Sequence, residues 1–223
     1  MWRLLQPPIA LFLHLWVRVE ATGLEHIDNG RGGLFVMNHQ TFLDPLLVAV
    51  LLHRPVSFLA RDSLFRVPLL GWLLRQTWVI PISRESVRGG SIRAAVERME
   101  SGFLVGIFPE GTRSSGESVK AFRPGFLAIV RRTGQPVYPV AIAGADRILP
   151  RGAWFVRPGR VRIAYGCPLL PGEIDQLLNS GDERVQAEAM RQRVATLFDE
   201  ALTRLRPPLD ADGATEERGQ EQS

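Results

Sequence analysis

The chain has 223 residues, enough for one well-buried domain and too few for two comfortable ones. Hydrophobic residues make up 45% and charged residues 22%, with a mean hydropathy of +0.01, a globular composition slightly greasy for a soluble enzyme. Residues 1–169 hold 21 Lys and Arg against 11 Asp and Glu, whereas residues 170–223 hold 6 against 12, so a basic body meets an anionic partner such as a membrane surface, a phosphorylated substrate or nucleic acid.

The first apolar run, Ile9–Val17, is interrupted only by His14. Nine residues cannot cross a hydrocarbon core that needs ~20 in helix, and Pro7-Pro8 interrupts any upstream extension. No small-residue cleavage site follows, which argues against a secretory signal. Residues 1–18 are therefore expected to form a membrane-associating helix, with Trp2, Arg3, Trp16 and Arg18 as interface anchors, or else a helix packed on the core. The expected location is the cytoplasmic face of the cell membrane, bound peripherally or monotopically.

Glu20–Ile27 reads as extended, and Asp28–Gly33 is a turn signal. Leu34–Met37, Val56–Leu59, Thr77–Ile82 and Leu104–Phe108 are short apolar runs suited to buried strands. Helical stretches run from Pro45 through Leu52 and around Leu64–Arg75. Ser91 is placed as the N-cap of a helix over Ile92–Ser101, with Gly102 as its stop. After a loop at Pro109–Pro124 come a helix over Gly125–Thr133 and strands over Val137–Ala143 and Arg160–Tyr165. The single cysteine, Cys167, excludes an intrachain disulfide, suits a reducing compartment and reads as a small buried residue rather than a nucleophile. Val194, Leu197, Phe198, Ala201, Leu202 and Leu205 recur at helical spacing as a core stripe. Residues 207–223 read as a disordered acidic tail, leaving residues 19–206 as one domain. Alternating strands and helices predict an α/β fold, a mixed, mostly parallel sheet flanked by helices, with its chemistry at the carboxyl ends of strands.

Two polar segments fall at such ends. In Asn38–Pro45, His39 and Asp44 would diverge on a continuous helix, but a turn leading into a helix that starts at Asp44-Pro45 can bring them together. The carboxylate, placed as an N-cap, would then accept from backbone N–H groups and one imidazole nitrogen, leaving the other nitrogen to take a proton. Alone, the segment reads equally as a capped helix preceded by an ordinary loop histidine. Phe108–Ser114 adds a carboxylate, a glycine, two hydroxyls and a guanidinium. Arg113 suits a bidentate phosphate grip, and Glu110 is placed to hold Arg113 or an acceptor hydroxyl. The alternative there is a surface loop with a solvated ion pair. The four histidines are scattered and Cys167 is alone, so no metal site is expected.

Together these segments resemble the glycerolipid acyltransferases, in their 1-acylglycerol-3-phosphate acyltransferase branch. The family pattern Asn-His-x-Ser-x-x-Asp is met by Asn38–Asp44, with Thr41 in the serine position. Val79–Arg84 matches an apolar strand ending in arginine, with Ser83 where the family often has Asp. Phe-Pro-Glu-Gly-Thr-Arg-Ser stands complete at Phe108–Ser114. Phe122-Arg123-Pro124-Gly125 follows with arginine as its cation, and Val137–Val140 supplies an apolar strand with proline.

The resemblance implies that His39 is the general base and Asp44 its orienting partner, with direct attack of an acceptor hydroxyl on an acyl thioester. It implies that Arg84, Glu110, Gly111, Thr112 and Arg113 hold the glycerol-phosphate head, with Asn38, Arg61, Ser114 and Arg123 as further candidates, and that Pro139 serves the acyl-chain side or the fold. The acceptor would be 1-acyl-sn-glycerol-3-phosphate and the product phosphatidic acid, in phospholipid biosynthesis. The donor would be acyl-CoA or acyl carrier protein as co-substrate, with no bound cofactor. Another lysophospholipid or lyso-ornithine lipid is the alternative acceptor. A serine esterase is disfavoured by the absence of a Gly-x-Ser-x-Gly elbow. An idle lipid-binding protein is disfavoured by the intact His39/Asp44 pair, and a nucleic-acid binder by the lack of a recognition motif.

Overall fold

Central strands that are apolar at every position need cover on both faces, and the chain supplies it. The computed structural model describes residues 2–76, 79–82, 90–114 and 116–205. Helix α1 (Trp2–Phe12) continues as a wide π-turn over Leu13–Val17 and leads into β1 (Val19–Thr22). Then follow β2 (Gly33–Met37), α2 (Asp44–Val50), β3 (Val56–Arg61), α3 (Pro68–Gln76), β4 (Ile80–Ile82), α4 (Gly90–Glu100) and β5 (Leu104–Ile107). The rest comprises α5 (Leu127–Thr133), β6 (Val137–Ala143), α6 (Ala145–Ile148), β7 (Val161–Tyr165), α7 (Pro171–Leu178) and α8 (Glu183–Leu205).

The seven strands lie in the order β1-β7-β6-β2-β5-β3-β4. Every neighbouring pair is parallel except β6 and β7, so the fold is the predicted mixed, mostly parallel sheet. Alternation along the strands divides the core in two. Leu34, Val36, Val105 and Ile107 face the layer of α4, α5, α7 and α8, into which Met99, Leu127, Met190 and Phe198 project. Phe35, Met37, Tyr138 and Val140 face α2 and the π-turn, meeting Leu47, Leu13 and Val17. The α8 stripe packs as read, with Val194, Phe198, Ala201 and Leu205 buried.

Several local expectations differ. Helix α1 runs through Pro7 and Pro8 rather than starting after them. The two prolines remove only early intrahelical bonds, and Gln6 Nε2 ties the helix to the end of α2 through the carbonyls of Val50 and Leu52, at 2.8 and 2.9 Å. Among the described residues no helix is long and apolar enough to cross a membrane. Ser91 lies inside the first turn of α4, not before it. Gly102, at φ +84°, ends that helix as expected. Cys167 is exposed: it sits beyond the last residue of β7, where Sγ meets His26 Nε2 at 3.5 Å instead of the core. Thr77, Trp78 and the 207–223 tail lie outside the described residues.

Candidate active site

Strands β2 and β5 are parallel neighbours in register, Val36 opposite Ile107, so the segments following them emerge side by side at one sheet edge. Asn38–Asp44 follows β2 and Phe108–Ser114 follows β5. The topology thereby joins two motifs about seventy residues apart in sequence.

Asn38 anchors the first segment. Its buried side-chain amide donates to Ile142 O at 2.9 Å and accepts from Ile142 N at 2.8 Å, extending the β2–β6 ladder past the end of β2. Gln40 Oε1 accepts from Ala145 N at 2.9 Å, where α6 begins. Between these pins the chain turns, and Asp44 closes the turn. Its carboxylate, 0% exposed, accepts from Gln40 N (2.6 Å), Thr41 N (2.9 Å), Thr41 Oγ1 (3.0 Å) and His39 Nδ1 (2.8 Å). The expected meeting of imidazole and carboxylate is thus present, but Asp44 is not an N-cap. It is the first residue of α2 and bonds backwards, while Leu47 N is already satisfied by Leu43 O at 2.9 Å. An ionised carboxylate only accepts, so His39 Nδ1 is the donor and Nε2 carries the lone pair.

Phe108 fixes the other dimension of the imidazole. Its ring stacks on His39 with centroids 4.2 Å apart at 26°, and Phe58 stacks behind it at 6.0 Å. Ser114 holds the His39 carbonyl through both N and Oγ, at 2.6 and 3.1 Å. It is buried and positions the histidine backbone. Glu110 is buried as well, and its Oε1 accepts from His39 N at 3.3 Å. Burial pushes its carboxyl up to about 7, against the lowering effect of the His39 and Lys120 backbone N–H groups. Its Oε2 has no protein partner among the described residues.

The expected hold of Glu110 on Arg113 is not made, because the carboxylate is turned inward. Arg113 instead lays its guanidinium on the Phe42 ring, 3.9 Å from the centroid. Its carbonyl accepts from Lys120 Nζ at 3.0 Å and from Arg151. Gly111 has φ +68°, and a Cβ there would lie 3.1 Å from Arg123 Cζ. Glycine thus allows both the turn and the approach of Arg123, whose N–H is bound by Pro109 O at 3.0 Å. Thr112 is exposed beside it.

Three further candidates remain. Arg84 lies outside the described residues, as does the side chain of Arg61, the last residue of β3. Pro139 sits within the sheet opposite Val36 and meets Gly166, whose N–H it accepts at 2.9 Å. Its missing N–H points the same way as that carbonyl, past the end of β7, so no bond to β2 is lost. Among the described residues the polar contact of Cys167 is with His26 and not with these loops. Among the described residues no three His, Cys, Asp or Glu gather to hold a metal ion. Sequence reasoning did not single out Gln40, Phe42, Phe108, Lys120 and Arg151. Only Phe108 carried a signal, standing at the head of the second motif.

Residues 18–143 match the family model described as Acyltransferase. A 1-acyl-sn-glycerol-3-phosphate acyltransferase of Bacillus subtilis is 25% identical over 198 residues, covering 88% of this chain and 96% of that protein. The chloroplastic 1-acyl-sn-glycerol-3-phosphate acyltransferase LPAT1 of Arabidopsis thaliana is 27% identical over 185 residues, 81% of this chain and 51% of that one. The chain spans about half the length of its chloroplast relatives. The crystal structure of the 1-acyl-sn-glycerophosphate (LPA) acyltransferase PlsC from Thermotoga maritima superposes with a TM-score of 0.72 at 26% identity, over 92% of this chain and 82% of that one. The family match takes in more than half of the sequence and both site loops, and this chain belongs to the acyltransferase family.

Proposed function

We propose that the chain transfers a fatty acyl group from an acyl thioester, acyl-CoA or acyl carrier protein, to the free hydroxyl of 1-acyl-sn-glycerol-3-phosphate. The product is phosphatidic acid. The observation that carries this reading is the His39 Nδ1–Asp44 Oδ2 bond of 2.8 Å at the sheet edge where the Arg113 loop also emerges.

In the proposed reaction His39 Nε2 takes the proton of the acceptor hydroxyl as its oxygen attacks the thioester carbonyl carbon. The C–S bond breaks, and the imidazolium returns the proton to the departing thiolate. Asp44, already fixed by three other donors, stabilises that imidazolium without moving. Stacking on Phe108 keeps the ring from rotating out of line. Arg113, Arg123 and the backbone around Gly111 supply cations and N–H donors for the phosphate, with Arg84 as a further contact. Glu110 Oε2 is free to bond an acceptor oxygen, as a donor when protonated. The acceptor is a membrane lipid, which agrees with the exposed apolar face of α1 and the basic body. Relatives bearing the name 1-acyl-sn-glycerol-3-phosphate acyltransferase support the choice of acceptor.

The test is purified enzyme with a labelled acyl donor and a panel of lyso-acceptors. Lysophosphatidate is expected to be the preferred acceptor, and His39→Ala is expected to lower kcat by at least about 10³-fold with an unchanged circular dichroism spectrum. Substantial turnover by His39→Ala would sink the mechanism, and preference for an acceptor lacking phosphate would sink the assignment.

A further inference from the structure

Helix α1 and its π-turn are apolar on two sides. Ile9, Ala10, Leu13 and Val17 pack on the core, while Leu11, Phe12, Leu15 and Trp16 stay exposed, Leu15 at 71%. An apolar face left open after the core is covered calls for a second apolar phase. The loop between α6 and β7 reaches the same place. Trp16 Nε1 donates to Val156 O at 3.0 Å, and Val156 packs into the same cluster as Ile9 and Ala10. The two residues just before it, Trp154 and Phe155, are 92% and 84% exposed. The loop that carries them is tied down, Ala153 N to Pro150 O at 3.0 Å and Arg157 N to Ile148 O at 2.8 Å. Two large aromatics are thus held away from the core by a braced backbone.

Charge tells what covers them. Arg18, Arg151 and Arg157 are exposed around the patch, and neither residues 1–19 nor residues 147–172 contain a single Asp or Glu. A second copy of this chain would bring like charges together, whereas an anionic lipid surface is complementary to them. Aromatic bodies beside guanidinium groups suit the headgroup boundary of a bilayer. We infer that Trp154 and Phe155 form a second bilayer contact, entering an anionic phospholipid surface beside the outer face of α1. The inference rests on the reading of the acceptor as a membrane lipid and adds a second point of attachment. Two points fix the tilt of the domain, which one helix cannot do. Arg151, in the same loop, bonds to the Arg113 carbonyl, so seating this loop among headgroups sets the depth of the Arg113 site.

The experiment uses the full chain and vesicles of phosphatidylglycerol and phosphatidylcholine in equal parts. The double change Trp154→Ser/Phe155→Ser is expected to weaken co-sedimentation by about tenfold or more. Turnover of a short-chain lysophosphatidate dispersed as monomers is expected to stay unchanged. Trp154→Phe keeps the apolar bulk; it is expected to retain binding while losing part of the fluorescence quenching by lipids brominated in their acyl chains. Unchanged co-sedimentation of the double variant overturns the inference, as does quenching that Trp154→Phe leaves intact. A double variant that only dissociates an oligomer assigns the patch to self-association and overturns it too. Failure of the wild type to turn over the monomeric acceptor would count against the enzymatic reading alone.

Discussion

Glu110 makes a prediction that separates stability from catalysis. Its carboxyl titrates at about 7 in the folded chain against an ordinary 4.5, because burial opposes the charge. Below 4.5 both folded and unfolded chains hold the proton, and folding is indifferent to it. Between 4.5 and 7 the unfolded chain releases the proton and the folded chain keeps it, so stability falls as pH rises, by roughly 1.4 kcal/mol per pH unit. Above 7 the folded chain ionises too and the loss levels off, at about 3 kcal/mol in total. Glu110→Gln removes this dependence while keeping a carbonyl oxygen for the His39 N–H. Urea unfolding of wild type and variant at intervals from pH 5 to 8.5 should show the variant gaining up to about pH 7 and then levelling off, at about 3 kcal/mol. Subtracting one curve from the other cancels the titrating groups that lie far from Glu110. A difference that stays flat across this range would refute the reasoning, and one that falls with pH would reverse its sign.

Asp44→Asn should lower kcat by about 10³-fold or more, because the amide selects the wrong imidazole tautomer, and should cost roughly 1–3 kcal/mol by facing a donor with a donor. Steady-state kinetics and urea unfolding check the two effects, and retained kcat would refute the pairing. Arg113→Ala should raise KM for lysophosphatidate by about tenfold or more while barely moving the thermal midpoint, since its guanidinium rests on the exposed Phe42 ring. An unchanged KM would remove Arg113 from the phosphate site. Gly106→Ala would place a Cβ 2.5 Å from the Phe58 ring, which backs Phe108 and through it His39. A loss of about 1–3 kcal/mol in thermal unfolding, together with roughly tenfold lower kcat, is expected. An unshifted midpoint would show that the aromatic stack yields freely.

The sequence by itself determined the α/β class, most of the strands, the α8 stripe and the two chemical segments. Each of these is written locally: apolar runs in Leu34–Met37 and Leu104–Ile107 bury on both faces, and Asp44-Pro45 starts a helix wherever it lies. The pairing of His39 with Asp44 was legible for the same reason, since five residues of chain limit where the carboxylate can go. The direction of the Asp44 carboxylate was not legible, because it depends on Leu43 O having already taken the N–H that an N-cap would serve. Tertiary structure alone decided that β2 and β5 are neighbours, and hence that the two motifs share one edge. It alone turned Glu110 inward, freed Arg113 for Phe42 and stacked Phe108 on His39. It also left Cys167 in the open and Trp154 and Phe155 uncovered beside α1. The physical reason is range: periodicity and turn chemistry act over a few residues, whereas burial and the partners of a polar atom are set by whichever distant segment the sheet order brings alongside.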